Sequence, residues 1–127
     1  MNFEKDRESR QDVPLLISKK FVYDTDPVIQ ISTGMDHSAF LTKSGKAYIW
    51  GRNIEYQITD ENWNHPIYPI LQNIDNKPDI IIKKIELTNN TSYALTNEGH
   101  LYARGAKTIQ SNKKSQIVNN FKTWTRV

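Results

Sequence analysis

Residues 31–51 and 85–105 are two versions of one string, related without a gap at an offset of 54 and sharing seven identities in 21 positions. The shared residues are Ile31 and Ile85, Ser38 and Ser92, Leu41 and Leu95, Thr42 and Thr96, Gly45 and Gly99, Tyr48 and Tyr102, and Gly51 and Gly105. Upstream, Val13-Pro14-Leu15-Leu16 is echoed by Tyr68-Pro69-Ile70-Leu71 at an offset of 55, so the repeat includes a connecting strand. A period of several tens of residues marks supersecondary units that stack, because one unit cannot bury its apolar face alone.

Within a unit, residues 38–41 and 47–50 read as short strands, and Thr42-Lys43-Ser44-Gly45-Lys46 between them as a tight hairpin turn in which Gly45 takes positive φ. Asn97-Glu98-Gly99 repeats the turn, and Gly51 and Gly105 mark where the backbone leaves the strand or approaches a neighbour. Elsewhere, strand-length apolar runs such as Leu15-Leu16-Ile17 and Ile80-Ile81-Ile82 are bounded by Gly, Asn, Asp and Pro, and no helical period is sustained. The expectation is an all-β chain of two small antiparallel sheets with about four strands each.

At 127 residues the chain has room for one ordinary domain. It has no cysteine, which excludes a disulfide framework, a cysteine zinc site and a thiol nucleophile. Its longest apolar run is Ile80-Ile81-Ile82 and residues 1–14 lack an apolar signal stretch, so it reads as soluble and intracellular, cytoplasmic or nuclear, with no membrane partner. Residues 1–12 alternate acids and bases and read as a flexible charged leader. Residues 1–98 hold all 14 acidic groups against 11 of the 17 basic ones, whereas residues 99–127 hold the other six basic groups and no acid. That basic stretch is a solvated or partner-docking edge, or a contact for nucleic acid.

The string Gly34-Met35-Asp36-His37-Ser38-Ala39-Phe40-Leu41-Thr42-Lys43-Ser44-Gly45-Lys46-Ala47-Tyr48-Ile49-Trp50-Gly51-Arg52-Asn53, followed by Tyr56-Gln57-Ile58, resembles the repeat of the regulator of chromosome condensation family. The second copy departs from it, with Thr88 in place of the glycine, Thr91 in place of the histidine and Arg104 in place of the tryptophan. In that family the units close into a β-propeller of about seven blades. The resemblance therefore implies a partial, open β-propeller: residues 13–66 as a first repeat and 67–120 as a second, degenerate one. Trp124-Thr125-Arg126-Val127 reads like residues 28–31 and 82–85, which makes residues 121–127 the lead-in strand of a third. Two blades cannot close a ring, so the chain is part of a longer propeller, completes one with other copies or a different protein, or stays open.

The resemblance gives structural roles to Gly34, His37, Ser38, Gly45, Tyr48, Trp50, Gly51, Ser92, Gly99, Tyr102 and Gly105. It implies that His37 fixes backbone groups by hydrogen bonds. Asp36-His37-Ser38 contains the residue types of a hydrolase triad, but neighbours in a strand point to opposite faces and cannot form a relay. His65 and His100 are isolated, without metal-ligand spacing, and the five glycines form no phosphate cradle. Asn89-Asn90-Thr91-Ser92 holds overlapping glycosylation acceptors and reads as a turn. Trp63 and Tyr68 lie in the loop of residues 59–69, where exposed aromatics suit protein recognition or cap a blade edge. With Lys113, Lys114, Lys122 and Arg126 they are the candidate partner contacts. The expected function is a non-enzymatic protein-interaction module, a scaffold or regulator without cofactor or metal. The alternatives are an exchange-factor-like regulator of a small GTPase and a nucleic-acid contact through the basic stretch.

Overall fold

A computed structural model describes residues 25–110 and 115–127, with the side chains of residues 107–110 and 115–119 excepted. The charged leader, the Val13-Pro14-Leu15-Leu16 echo, Lys113 and Lys114 lie outside the described residues. The strands are β1 (Val28–Thr33), β2 (His37–Thr42), β3 (Ala47–Gly51), β4 (Ile70–Leu71), β5 (Ile82–Thr88), β6 (Thr91–Thr96), β7 (Leu101–Gln110) and β8 (Ser115–Arg126). They form two four-stranded antiparallel sheets, ordered β1-β2-β3-β4 and β5-β6-β7-β8. Among the described residues there is no helix, and hence none long and apolar enough to cross a membrane.

The repeat holds at the level of single hydrogen bonds. The Gly45 amide donates to Thr42 O at 3.0 Å, and the Gly99 amide to Thr96 O at 2.9 Å. The Lys43 amide reaches back to Pro27 O at 2.8 Å, and the Asn97 amide to Ile81 O at 2.8 Å. Both sheets carry the same register irregularity, at Val28/Gln30 and at Ile82/Lys84. Gly51 and Gly105 sit at φ 111° and 108°, and a Cβ there would stand 2.5 Å from the carbonyl oxygen of Asp36 or Asn90. Only glycine fits such a close approach in the left-handed region.

Two boundaries drawn from the repeat need correction. Ile70 and Leu71 pair with Ile49 and Tyr48, so they close the first sheet although they follow residue 66. Thr125 and Arg126 pair with Ala103 and Tyr102 in the equivalent places, so residues 121–127 complete the second sheet and do not open a third. The physical reason is that the fourth strand of each sheet returns after a long excursion. In the first sheet that excursion is the irregular loop of residues 52–69. In the second, β7 and β8 run on past Gly105 as a two-stranded ribbon paired from Gly105↔Phe121 to Gln110↔Ser115.

One core spans both sheets. Leu41, Ala47, Ile49, Ile58 and Ile74 from the first part pack with Ile82, Ile85, Leu87, Ala94, Tyr102 and Trp124 from the second. Ile85 is 0% exposed there, whereas its repeat equivalent Ile31 is 77% exposed. Among the described residues a neighbouring sheet covers Ile85 and none covers Ile31. Ile85→Ala is therefore expected to lower stability in urea unfolding by about 2–5 kcal/mol, the range for buried truncations. Ile31→Ala should change it by less than about 0.5 kcal/mol. Equal losses at the two positions would contradict the shared core.

Candidate interaction site at the joint between the sheets

The sheets meet where β5 lies against β1 and β2, and the joint is held mainly by side chains bonding to backbone. β5 is the edge of its sheet, so its outward amides and carbonyls need partners once they are covered. The Gln30 side chain takes both backbone groups of Ile85: Nε2 donates to Ile85 O at 2.6 Å, and Oε1 accepts from the Ile85 amide at 3.1 Å. Ser32 Oγ accepts from the Leu87 amide at 3.0 Å. At the ends of the joint the Ile82 amide donates to Gly45 O at 2.9 Å, and the Met35 amide to Asn89 O at 3.1 Å.

Behind this row sits His37, 2% exposed. Its Nε2 lies 3.1 Å from Ser92 Oγ, and Ser92 Oγ donates to Gln57 O at 2.8 Å. The serine proton is thus committed to Gln57, so the histidine carries its own proton on Nε2 and leaves Nδ1 bare, buried and unbonded. The resemblance implied bonds from the ring to backbone groups. The ring interacts with the backbone of Thr91 and also meets a serine side chain on the other sheet, and the Asp36-His37-Ser38 neighbours assemble no relay, since Ser38 lies on the opposite face of the strand from His37. A Cβ on Gly34 would stand 2.3 Å from His37 Cε1 and 2.5 Å from Nδ1, so glycine and histidine go together. In the second sheet Thr88 and Thr91 replace both and pair directly across the Asn89-Asn90 turn. Thr91 Oγ1 turns inward to Ala106 O at 2.8 Å, and buried Ser92 is committed to the joint, so the acceptor motifs form a packed hairpin end.

Arg104, in the place of Trp50, is 6% exposed. Its Nε donates to Tyr56 O at 2.9 Å, Nη2 donates to Lys122 O, and the guanidinium lies 5.8 Å from the Trp124 ring centroid. Burial lowers its pKa to about 10, with Asp60 opposing, so it stays charged at neutral pH. Tyr56 holds φ 64°, a left-handed conformation uncommon outside glycine, which places its carbonyl at this arginine. Trp124 Nε1 donates to Gln72 Oε1 at 3.1 Å and Tyr102 OH to Asp75 Oδ2 at 3.3 Å, so the second sheet also grips the loop after β4. A cleft of about 490 Å³ opens there between Asp60, Gln72, Asp75, Arg104 and Trp124.

The loop of residues 52–69 leaves the joint with its backbone tied from inside. Asn53 Oδ1 accepts from the Ile58 amide at 2.9 Å and the Thr59 amide at 3.0 Å, while its Nδ2 donates to Trp63 O at 2.8 Å. The Gly51 amide donates to the carbonyl of buried Pro66 at 2.8 Å, and Arg52 pairs with Glu55 at 2.9 Å. Outward from this frame point Ile54, Trp63, Ile67 and Tyr68, the last two 71% and 65% exposed. Tyr48 and Trp50 instead pack around Phe40, with centroids 5.0 and 5.9 Å away.

Among the described residues the basic groups do not gather on one face. Arg104 is withdrawn into the joint, Lys122 Nζ lies 5.2 Å over the Tyr56 ring, and Arg126 lines a second cleft of about 460 Å³ with Asp75, Asp79 and Glu98. Among the described residues no three His, Asp or Glu side chains stand close enough to hold a metal ion. Sequence reading missed Gln30, Ser32, Gln72 and Arg104 as joint residues. The available signal was that Gln30 and Ser32 alternate with exposed Ile29 and Ile31, which puts both polar groups on one face of the strand.

Two four-stranded blades that share one core and leave an edge open define a partial β-propeller. Residues 28–57 match the regulator of chromosome condensation (RCC1) repeat. The chain is 29% identical over 96 residues to an X-linked retinitis pigmentosa GTPase regulator homolog of Caenorhabditis elegans, covering 76% of this chain and 7% of that protein. It is 31% identical over 121 residues to an RCC1 repeat-containing protein of Dictyostelium discoideum, covering 86% of this chain and 24% of that one. The crystal structure of Prp20p from Saccharomyces cerevisiae, the yeast RCC1, superposes with a TM-score of 0.61 at 22% identity, over 79% of this chain and 25% of that one. The chain is built from repeats of the regulator of chromosome condensation family, and it spans a quarter or less of these relatives.

Burial lowers the His37 pKa from 6.5 to about 4. Between those values an unfolded chain binds a proton that the folded one refuses, so stability falls on acidification through that window, by up to about 3 kcal/mol. The expected outcome is a urea midpoint that drops from pH 7 to pH 4, with a shallower drop in His37→Asn. Parallel pH profiles for the two proteins would contradict the assignment.

Proposed function

We propose that this chain is a non-enzymatic protein-interaction module that works inside the cell as two blades of a larger propeller, with the loop of residues 52–69 as its recognition surface. The observation that carries the reading is the contrast within that loop: its backbone is tied down by Asn53 and Pro66, while Trp63, Ile67 and Tyr68 project into solvent. A rigid frame presenting apolar and aromatic side chains loses little entropy on binding, and such side chains supply most of the energy at protein interfaces. The sheets then serve as scaffold.

The finer reading is regulation of a small GTPase. It draws support from the C. elegans relative, named a GTPase regulator, and from Prp20p, characterised for its binding to Gsp1p and histones. Fold alone does not transfer a partner. For the nucleic-acid reading, the described residues offer little support at two of the basic groups, since Arg104 is buried and Arg126 sits beside acids.

Titration of the chain with purified small GTPases and with core histones, at 50 and 200 mM salt, tests these readings. The expected result is a complex weakened at least tenfold by Trp63→Ala with Tyr68→Ala, less than twofold by Lys122→Ala with Arg126→Ala, and little by salt. Binding that collapses with salt and depends on the basic pair would transfer the function to an anionic partner. Accelerated nucleotide release from one GTPase would promote the module to an exchange factor.

A further inference from the structure

We propose that the loop of residues 52–69 and the cleft beside it take a basic, apolar segment of a partner protein: an arginine or lysine side chain enters the cleft while a neighbouring apolar residue lies on Trp63 and Tyr68. This rests on the loop being the recognition surface and adds the chemistry of what it recognises.

Charge on this stretch of the chain is one-sided. From Asn53 to Asn76 there are four acids, Glu55, Asp60, Glu61 and Asp75, and no lysine or arginine. Glu55 is spent on Arg52, at 2.9 Å. The other three are exposed, and all three line the cleft of about 490 Å³. Residues 58–61 belong to both the loop and the cleft wall, and exposed Leu71 lines the cleft three residues beyond Tyr68. The aromatic surface of the loop thus runs into an acidic hollow.

Two bases stand nearby, and neither cancels that charge. Buried Arg104 aims Nε and Nη2 inward, at the carbonyls of Tyr56 and Lys122, and Asp60 supports its positive charge. Lys122 rests its ammonium over the Tyr56 ring. Asp75 receives a hydroxyl, from Tyr102 at 3.3 Å, and keeps its negative charge. Three acids against one arginine leave the cleft lining at −2. An acidic partner meets repulsion there, and a wholly apolar one takes water from Glu61 and Asp75 without replacing it. A guanidinium or ammonium gives those carboxylates a partner, and Trp63 and Tyr68 offer ring faces on which an arginine also stacks. A cation seated in a cleft is screened by salt less than an exposed one, so such recognition is compatible with a weak salt response.

The test uses the full chain and three acetylated, amidated pentapeptides in which leucine alternates with arginine, with glutamine or with glutamate. Binding is followed through the Trp124 indole and the amides of residues 61 and 75, and every variant is first shown to be folded by unchanged strand amides. The arginine peptide should bind at least about fivefold more tightly than the glutamine peptide. Asp60→Asn/Glu61→Gln should cut that preference below about twofold and leave the glutamine peptide's affinity unchanged, while Trp63→Ala/Tyr68→Ala should weaken all three peptides. Equal affinities for the three, lost with the two aromatics, would overturn this proposal and leave the loop reading standing. Arginine-peptide binding indifferent to the two aromatics would overturn both. Tighter binding of the glutamate peptide, no binding of any peptide up to about 10 mM, or loop resonances that move when the chain alone is diluted, which would make a second copy the occupant, would each overturn the proposal as well.

Discussion

Ile85 offers an amide and a carbonyl to a sheet that has no strand free to pair with them, and one side chain, Gln30, satisfies both. Stacked sheets cannot extend each other's ladders, yet stacking covers the edge of β5. A buried backbone group left without a partner costs on the order of 1–3 kcal/mol, which would offset much of the gain from packing one leucine. Gln30 and Ser32 remove that penalty at three groups, and Ile85 and Leu87 can then pack with Leu41 and Ile49. The apolar core follows from a polar solution at its inner rim.

Much of this was legible in the sequence, because what lies within one unit leaves a local trace. The turn at Gly45, the glycines after the second and third strands, and the strands themselves follow from period-2 patterning and turn chemistry, and the gap-free repeat carried them from one copy to the other. What lies between units leaves no such trace. Arg104 reads as a lapse from the tryptophan of the repeat, and only in three dimensions does its guanidinium reach the carbonyl that Tyr56 turns toward it. The place of Trp124 was misread for a related reason: an apolar residue before a β-branched one suits any strand, and register alone shows which sheet Thr125 and Arg126 join.

The joint also orders the functional reading. By anchoring the start of the loop of residues 52–69, through Gln57 O on Ser92 and Tyr56 O on Arg104, it makes loop geometry depend on the second sheet. A blade alone would present Trp63 and Tyr68 on a looser frame. The scaffold and the proposed recognition surface are thus one mechanical object, and the buried, neutral His37 sits at their meeting point.

The central claim is that the two sheets form one cooperative unit through the joint and are not two neighbours in sequence. Residue-by-residue urea unfolding, followed through the amide resonances of Leu41 in β2 and Ala94 in β6, addresses it most directly. A single midpoint shared by both resonances is the expected result. Two separated midpoints, with β6 melting while β2 remains folded, would contradict it.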